Sequence, residues 1–174
     1  MKMLASWSLA LVLGLCFAPV ASADVALQLS DVHICCGACV KGIQKAVDGL
    51  PGKVDIDRDG GQVKIAAADA AAAQKIVDAI AAAGYHGESD NPQIAMKNDS
   101  GAPAGTVTKL KVSGVHNCCQ GCTNAIRDAF KGVAGVQNDT LKNRATEFEI
   151  DGNFDAQAVV KALHAAGFHV KVTK

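Results

Sequence analysis

Aromatic side chains are scarce in this sequence: 4% of 174 residues, present as one Trp, one Tyr and five Phe. A large aromatic-walled pocket is excluded. A surplus of one charge is equally lacking, because 17 basic and 17 acidic residues cancel to +0. That excludes a polybasic nucleic-acid binder and a strongly acidic disordered chain. Proline is rare too: beyond residue 23 only Pro51, Pro92 and Pro103 remain, none placed as a cis-proline that would orient a substrate thiol. There is no nucleophile–base constellation, no phosphate-binding glycine loop and no carboxylate pair at a repeated position, so the reading is not that of an enzyme. Cysteine is what the chain does have. Its seven cysteines are too few for a disulfide-dense scaffold and too clustered to be incidental.

Residues 1–23 read as a secretory signal peptide. Lys2 gives a charged start, Leu9, Leu11, Val12, Leu13 and Leu15 an apolar middle, and Ala21-Ser22-Ala23 a small-residue cleavage site. The apolar stretch is short for a membrane span. A lipoprotein anchor at Cys16 is the alternative, but Leu15 stands where a small residue is expected. The mature chain is therefore expected to start at Asp24 and to be secreted, with the periplasm as the expected compartment and no stable membrane span. There its six remaining cysteines meet conditions that permit disulfides.

The rest is one unit written twice. His33-Ile34-Cys35-Cys36-Gly37-Ala38-Cys39 recurs as His116-Asn117-Cys118-Cys119-Gln120-Gly121-Cys122. Ala82-Ala83-Gly84-Tyr85-His86 recurs as Ala165-Ala166-Gly167-Phe168-His169 at the same offset. The second copy carries two extra residues in a hairpin, so that Val63 and Ile65 correspond to Phe148 and Ile150. Each copy begins with an alternating strand (Val25, Leu27, Leu29; Thr108, Leu110, Val112) that leads into the cysteine loop. A helix follows, with Val40, Ile43, Val47 and Leu50, or Ile126, Ala129, Phe130 and Val133, at helical spacing. A hairpin comes next, turning at Asp59-Gly60-Gly61 or Lys142-Asn143. A second helix (69–83 and 155–166) ends at Gly84 or Gly167. A last strand is clear at His169-Val170-Lys171-Val172 and poor at Gly87-Glu88-Ser89-Asp90, which only a sheet edge tolerates. The order βαββαβ, twice, predicts an α+β fold of two tandem ferredoxin-like domains, each a four-stranded antiparallel sheet with two helices on one face. The expected domains are 24–90 and 106–174, joined by a polar linker at 91–105.

The cysteine loops carry the chemistry. Cys36 and Cys39, and Cys119 and Cys122, stand at C-x-x-C spacing where a strand turns into a helix, and the positive helix end favours the metal-binding thiolate. Cys35 and Cys118 add a thiol to each loop, and His33 and His116 an imidazole. Soft thiolates select Cu(I), Zn(II) and heavier thiophilic ions. Cys3His would complete a tetrahedral zinc shell, whereas thiolates alone suit Cu(I) or Hg(II).

With these motifs the chain resembles two heavy-metal-associated domains, the family of copper chaperones, metal-pump N-terminal modules and the periplasmic mercury-binding protein. The framing residues Leu110-x-Val112-x-Gly114, Gly132-x-x-Gly135 and Ala166-Gly167-Phe168 support the resemblance. The family loop, G-M-x-C-x-x-C, implies Cys36, Cys39, Cys119 and Cys122 as ligands. The loops here depart from it: Ile34 and Asn117 replace the methionine, an extra cysteine precedes the pair, and copy two is two residues longer. The resemblance implies a metal chaperone or sequestering protein, with a metal-transporting or metal-accepting protein as partner. Cu(I) is favoured over Zn(II), Hg(II) remaining open, and one ion is expected in each loop, not shared between the copies.

His86 and His169, at the start of each last strand, are candidate outer ligands or hydrogen-bonding supports of that site. His164 faces Ala81 in the alignment of the copies and reads as a solvated helix residue, while Tyr85 and Phe168 read as core caps. Three alternatives accompany the metal reading: structural disulfides, a thiol–disulfide oxidoreductase or redox-sensing protein working through the C-x-x-C pairs, and an interaction module stapled by structural metal.

Overall fold

The computed structural model describes residues 24–174; the expected signal peptide and Cys16 lie outside the described residues. Two α+β units follow one another, each in the order read from the sequence. The first comprises β1 (Val25–Ser30), α1 (Gly37–Ala46), β2 (Lys53–Asp57), β3 (Gln62–Ala67), α2 (Ala70–Ala82) and β4 (Glu88–Ser89). The second comprises β5 (Thr106–Ser113), α3 (Gln120–Lys131), β6 (Val136–Asp139), β7 (Glu147–Asp155), α4 (Ala156–Ala165) and β8 (Lys171–Thr173). The antiparallel sheets have orders β2-β3-β1-β4 and β6-β7-β5-β8. Both are ferredoxin-like.

Alternation sets the register. Leu27 lies opposite Ile65 and Leu29 opposite Val63; in the second sheet Leu110 meets Ile150 and Val112 meets Phe148. The two-residue insertion in the second hairpin thus leaves the apolar pairs in phase, since a one-residue slip would turn every side chain to the other face. These side chains are buried, together with Ile76, Val77 and Ile80 of α2 and Val159, Val160 and Leu163 of α4. Each large aliphatic group removed from water contributes roughly 1.5–3 kcal/mol. The second helices start at Asp69 and Asp155, whose carboxylates accept from Ala72 N and Ala158 N at 2.7 and 2.8 Å.

The weak last strand of the first copy survives as two edge pairs, Leu29 with Ser89 and Ser30 with Glu88. The segment after it is no free tether. Ile94 and Ser100 are buried, Val172 N donates to Ser100 O at 2.8 Å, and Lys97 pairs with Asp78 on α2. The linker is therefore seated on both units. Among the described residues no helix is long and apolar enough to cross a membrane.

The two units dock through reciprocal contacts. Tyr85 and Phe168 form an antiparallel bridge, His86 N donates to Gly167 O at 3.0 Å and His169 N to Gly84 O at 3.1 Å. Gly84 (φ 86°) and Gly167 (φ 84°) occupy the left-handed region. A Cβ on Gly84 would strike the backbone of 114–116, and one on Gly167 the backbone of Asp31 and His33. Each unit thus presses its second-helix terminus against the other's cysteine loop.

Candidate metal centre

In each loop the chain leaves the first strand extended and enters the helix at a cysteine. Cys36 caps α1 and Cys119 caps α3, both with β-region backbone and neither making a side-chain capping bond. The next cysteine of each pair falls in the first helical turn, where Cys39 N donates to Cys36 O at 3.0 Å. The capping thiols are partly exposed, whereas Cys39 and Cys122 are wholly buried.

The loops do not stand apart. Docking brings all six sulfurs into one cluster, where the repeat alone leads to an expectation of two loops apart. Cys35 Sγ lies 3.4 Å from Cys119 Sγ and 3.5 Å from Cys122 Sγ. Reciprocally, Cys118 Sγ lies 3.8 Å from Cys36 Sγ and 3.4 Å from Cys39 Sγ. Cys39 and Cys122 meet across the interface at 3.8 Å, and contacts within each loop run from 3.6 to 3.8 Å. The physical reason is the reciprocal docking: each loop packs against the other unit's glycine and aromatic, and so faces its own counterpart.

These contacts close four sulfur triangles: Cys35–Cys39–Cys122, Cys39–Cys118–Cys122, Cys35–Cys119–Cys122 and Cys36–Cys39–Cys118. Every triangle draws on both copies. A metal–sulfur bond of about 2.3 Å sets tetrahedral ligands about 3.8 Å apart, so the observed edges suit metal-bridging sulfurs. They are far beyond a disulfide bond of about 2.05 Å, and all six thiols are free.

His33 and His116 stand beside this cluster. His116 Nδ1 donates to Gly84 O at 3.1 Å, leaving Nε2 3.9 Å from Cys39 Sγ. His33 groups with Cys35 and Cys122, and its buried Nε2 has no hydrogen-bond partner. Tyr85 stacks on His116 with centroids 3.9 Å apart, and Phe168 flanks both His33 (4.5 Å) and His116 (4.9 Å). Tyr85 also donates its hydroxyl to Cys39 O at 3.0 Å. The expected core caps are thus packed on the metal loops as well.

A polar lock in copy two escaped the sequence reading. Asn117, at the family's methionine position, is buried and donates to the carbonyls of Lys142 and Ala145 at 3.1 and 2.9 Å. Thr123 on α3 donates to its Oδ1 at 2.8 Å. The longer second loop is thereby tied to its hairpin; the signal available was a polar residue where copy one has Ile34.

Charge in the cluster is distributed unevenly. The hydrogen bond from Cys122 pulls the Cys39 thiol far down, against the cost of burial, and the same bond pushes Cys122 up. Backbone donation from Cys122 N brings Cys119 to about 7, as expected for a thiol at a helix N-terminus. Burial raises Cys35, and raises Cys118 to about 12. Burial, then the neighbouring His116, lowers His33. Six thiolates cannot ionise together without cations among them.

His86 and His169 gather instead with His164. His164 is half-buried on α4, with its ring 4.0 Å from that of His86, and is not the solvated residue its position suggested.

No protein-family model matches the chain. Over 145 residues it is 28% identical to copper-transporting ATPase 2 of Rhizobium meliloti, covering 80% of this chain and 15% of that protein. Among solved structures, the apo heavy-metal-associated domain of the copper chaperone for superoxide dismutase is 26% identical. It covers 46% of this chain and 80% of its own, with a TM-score of 0.35. The N-terminal soluble domains of Bacillus subtilis CopA are 18% identical, covering 87% and 95%, with a TM-score of 0.32.

Proposed function

We propose that this chain, which resembles the heavy-metal-associated domain family in its loops and element order, is an exported, non-enzymatic copper-holding protein. Its six thiolates take Cu(I) as one bridged cluster between the docked domains. The observation that carries this reading is the set of four sulfur triangles, each drawing ligands from both copies. Cu(I) is singly charged, soft and content with few ligands, and bridging thiolates let several such ions share six negative charges. Zn(II) would instead call on His33 and His116 to fill tetrahedral shells.

The burial of Cys39 and Cys122 between the units favours sequestration, with release coupled to separation of the domains. A metal-transporting protein is the natural acceptor, the matched relative being a copper-transporting ATPase. The signal-peptide reading of residues 1–23 supports export and a periplasmic location.

Anaerobic titration of the reduced chain with Cu(I), read by bound metal and by cluster luminescence, tests the proposal. Uptake beyond two ions per chain, reaching four, with Zn(II) unable to displace them, is expected. Saturation at one ion per loop overturns the bridged cluster. Preference for Zn(II), lost in His33→Ala/His116→Ala, overturns the choice of metal.

A further inference from the structure

Four buried side-chain nitrogens among the described residues have no hydrogen-bond partner, and three of them are His86 Nδ1, His164 Nε2 and His169 Nδ1. The three rings are neighbours. His86 and His164 stack 4.0 Å apart at 8°, and His169 lies 5.8 Å from His86 and 5.4 Å from His164. We propose that His86, His164 and His169 form a second metal site, separate from the cysteine cluster, for one divalent ion of the Zn(II) or Cu(II) class.

The ligand atoms are close enough. A ring nitrogen from each histidine lies within 4.8 Å of the others, whereas tetrahedral nitrogens around such an ion lie about 3.3 Å apart. Rotation about χ2, a soft torsion in histidine, turns the stacked rings toward a common centre and shortens that distance. His169 is already held: its Nε2 donates to Asp99 Oδ1 at 3.0 Å, and Lys171 fixes the same carboxylate. That leaves Nδ1 for the metal, in the carboxylate–histidine–metal arrangement that raises ligand basicity.

Nitrogen donors suit Zn(II) and Cu(II), not Ca(II) or Mg(II). His86 and His164 line a cleft of about 710 Å³ together with Glu88, Ser100 and Gln157, which provides an entry route and room for water on a fourth position. The ligands come from the end of copy one and from copy two, and Asp99 comes from the linker, so a bound ion would clamp the docked state.

The test uses the full reduced chain with its cysteines loaded with Cu(I) under anaerobic conditions. It is titrated with Co(II) as an optical probe and with Zn(II) followed by imidazole 15N shifts. One Co(II) per chain is expected, with d–d bands and no thiolate charge-transfer band, and Zn(II) should shift the nitrogens of all three rings. His164→Ala should weaken binding at least tenfold; Ala81 occupies the equivalent place in copy one, so this unit tolerates the change. Asp99→Asn should cost about 10–100-fold. Absence of binding, binding unchanged in His164→Ala, or a thiolate band overturns the site. Because sulfur and nitrogen ligation differ in the Co(II) spectrum, this outcome is separable from whatever the cysteines hold.

Discussion

Replacing Cys36 and Cys39 together by serine separates a shared cluster from two independent loops. Independent loops would lose half of the bound metal and leave the second copy filled. In the docked structure Cys39 belongs to three of the four sulfur triangles and Cys36 to one of those three. Without them only Cys35–Cys119–Cys122 stays closed. Bound Cu(I) should therefore fall to about one quarter, and Cys118 should lose both of its cross-domain partners. The reciprocal Cys119→Ser/Cys122→Ser variant should behave alike, with only Cys36–Cys39–Cys118 remaining. Metal per chain after anaerobic desalting, together with far-ultraviolet circular dichroism to establish folding, measures this. Retention of half the metal in both folded variants would refute the shared cluster.

Further expectations concern docking and support. Gly84→Ala places a Cβ against the backbone of 114–116 at a positive φ and should cost more than about 1 kcal/mol, read by urea unfolding, while lowering Cu(I) uptake. Tyr85→Phe removes the hydrogen bond to Cys39 O and should cost about 0.5–1.5 kcal/mol; Phe168 fills the same place in copy two, so the variant should fold. Thr123→Val strips a partner from the buried Asn117 Oδ1, with a loss of about 1–3 kcal/mol and faster amide exchange in the second hairpin. Asp69→Ala removes the cap of α2, for about 1 kcal/mol of thermal stability.

The fold was legible because the chain states it twice in patterns set by geometry alone. Alternation at Leu27 and Leu29, helical spacing at Ile76, Val77 and Ile80, and glycines at positive φ after each second helix all follow from backbone periodicity and sterics. A copy in which one signal faded, such as the last strand at Glu88–Ser89, was supported by the other. The seating of 91–105 was not legible. Its contacts rest on isolated groups, Ile94 in the core and the Ser100 carbonyl on Val172 N, which leave no periodic trace.

For the site, the sequence identified the ligands but not their meeting. A repeat shows what each unit carries; it does not show which faces of two units adhere, because those contacts run through the backbone carbonyls of Gly84 and Gly167. The available signal lay in residues that a single-domain site does not use. Gly84-Tyr85-His86 and Gly167-Phe168-His169 repeat as a block, as do the additional Cys35 and Cys118. A patch present on both copies is self-complementary when the copies dock reciprocally, as in a two-fold interface. Such docking sets each loop against its counterpart, and Cys39 and Cys122, the equivalent pair nearest the centre, meet each other there at 3.8 Å. The extra cysteines reach across to the opposite loop's C-x-x-C, Cys35 to Cys119 and Cys122 and Cys118 to Cys36 and Cys39, which adds a third sulfur to a pair otherwise limited to two. His164 illustrates the converse limit. With alanine, not histidine, at the equivalent place in copy one, it reads as solvated, yet the same docking brings His86 over from the other unit to stack on it.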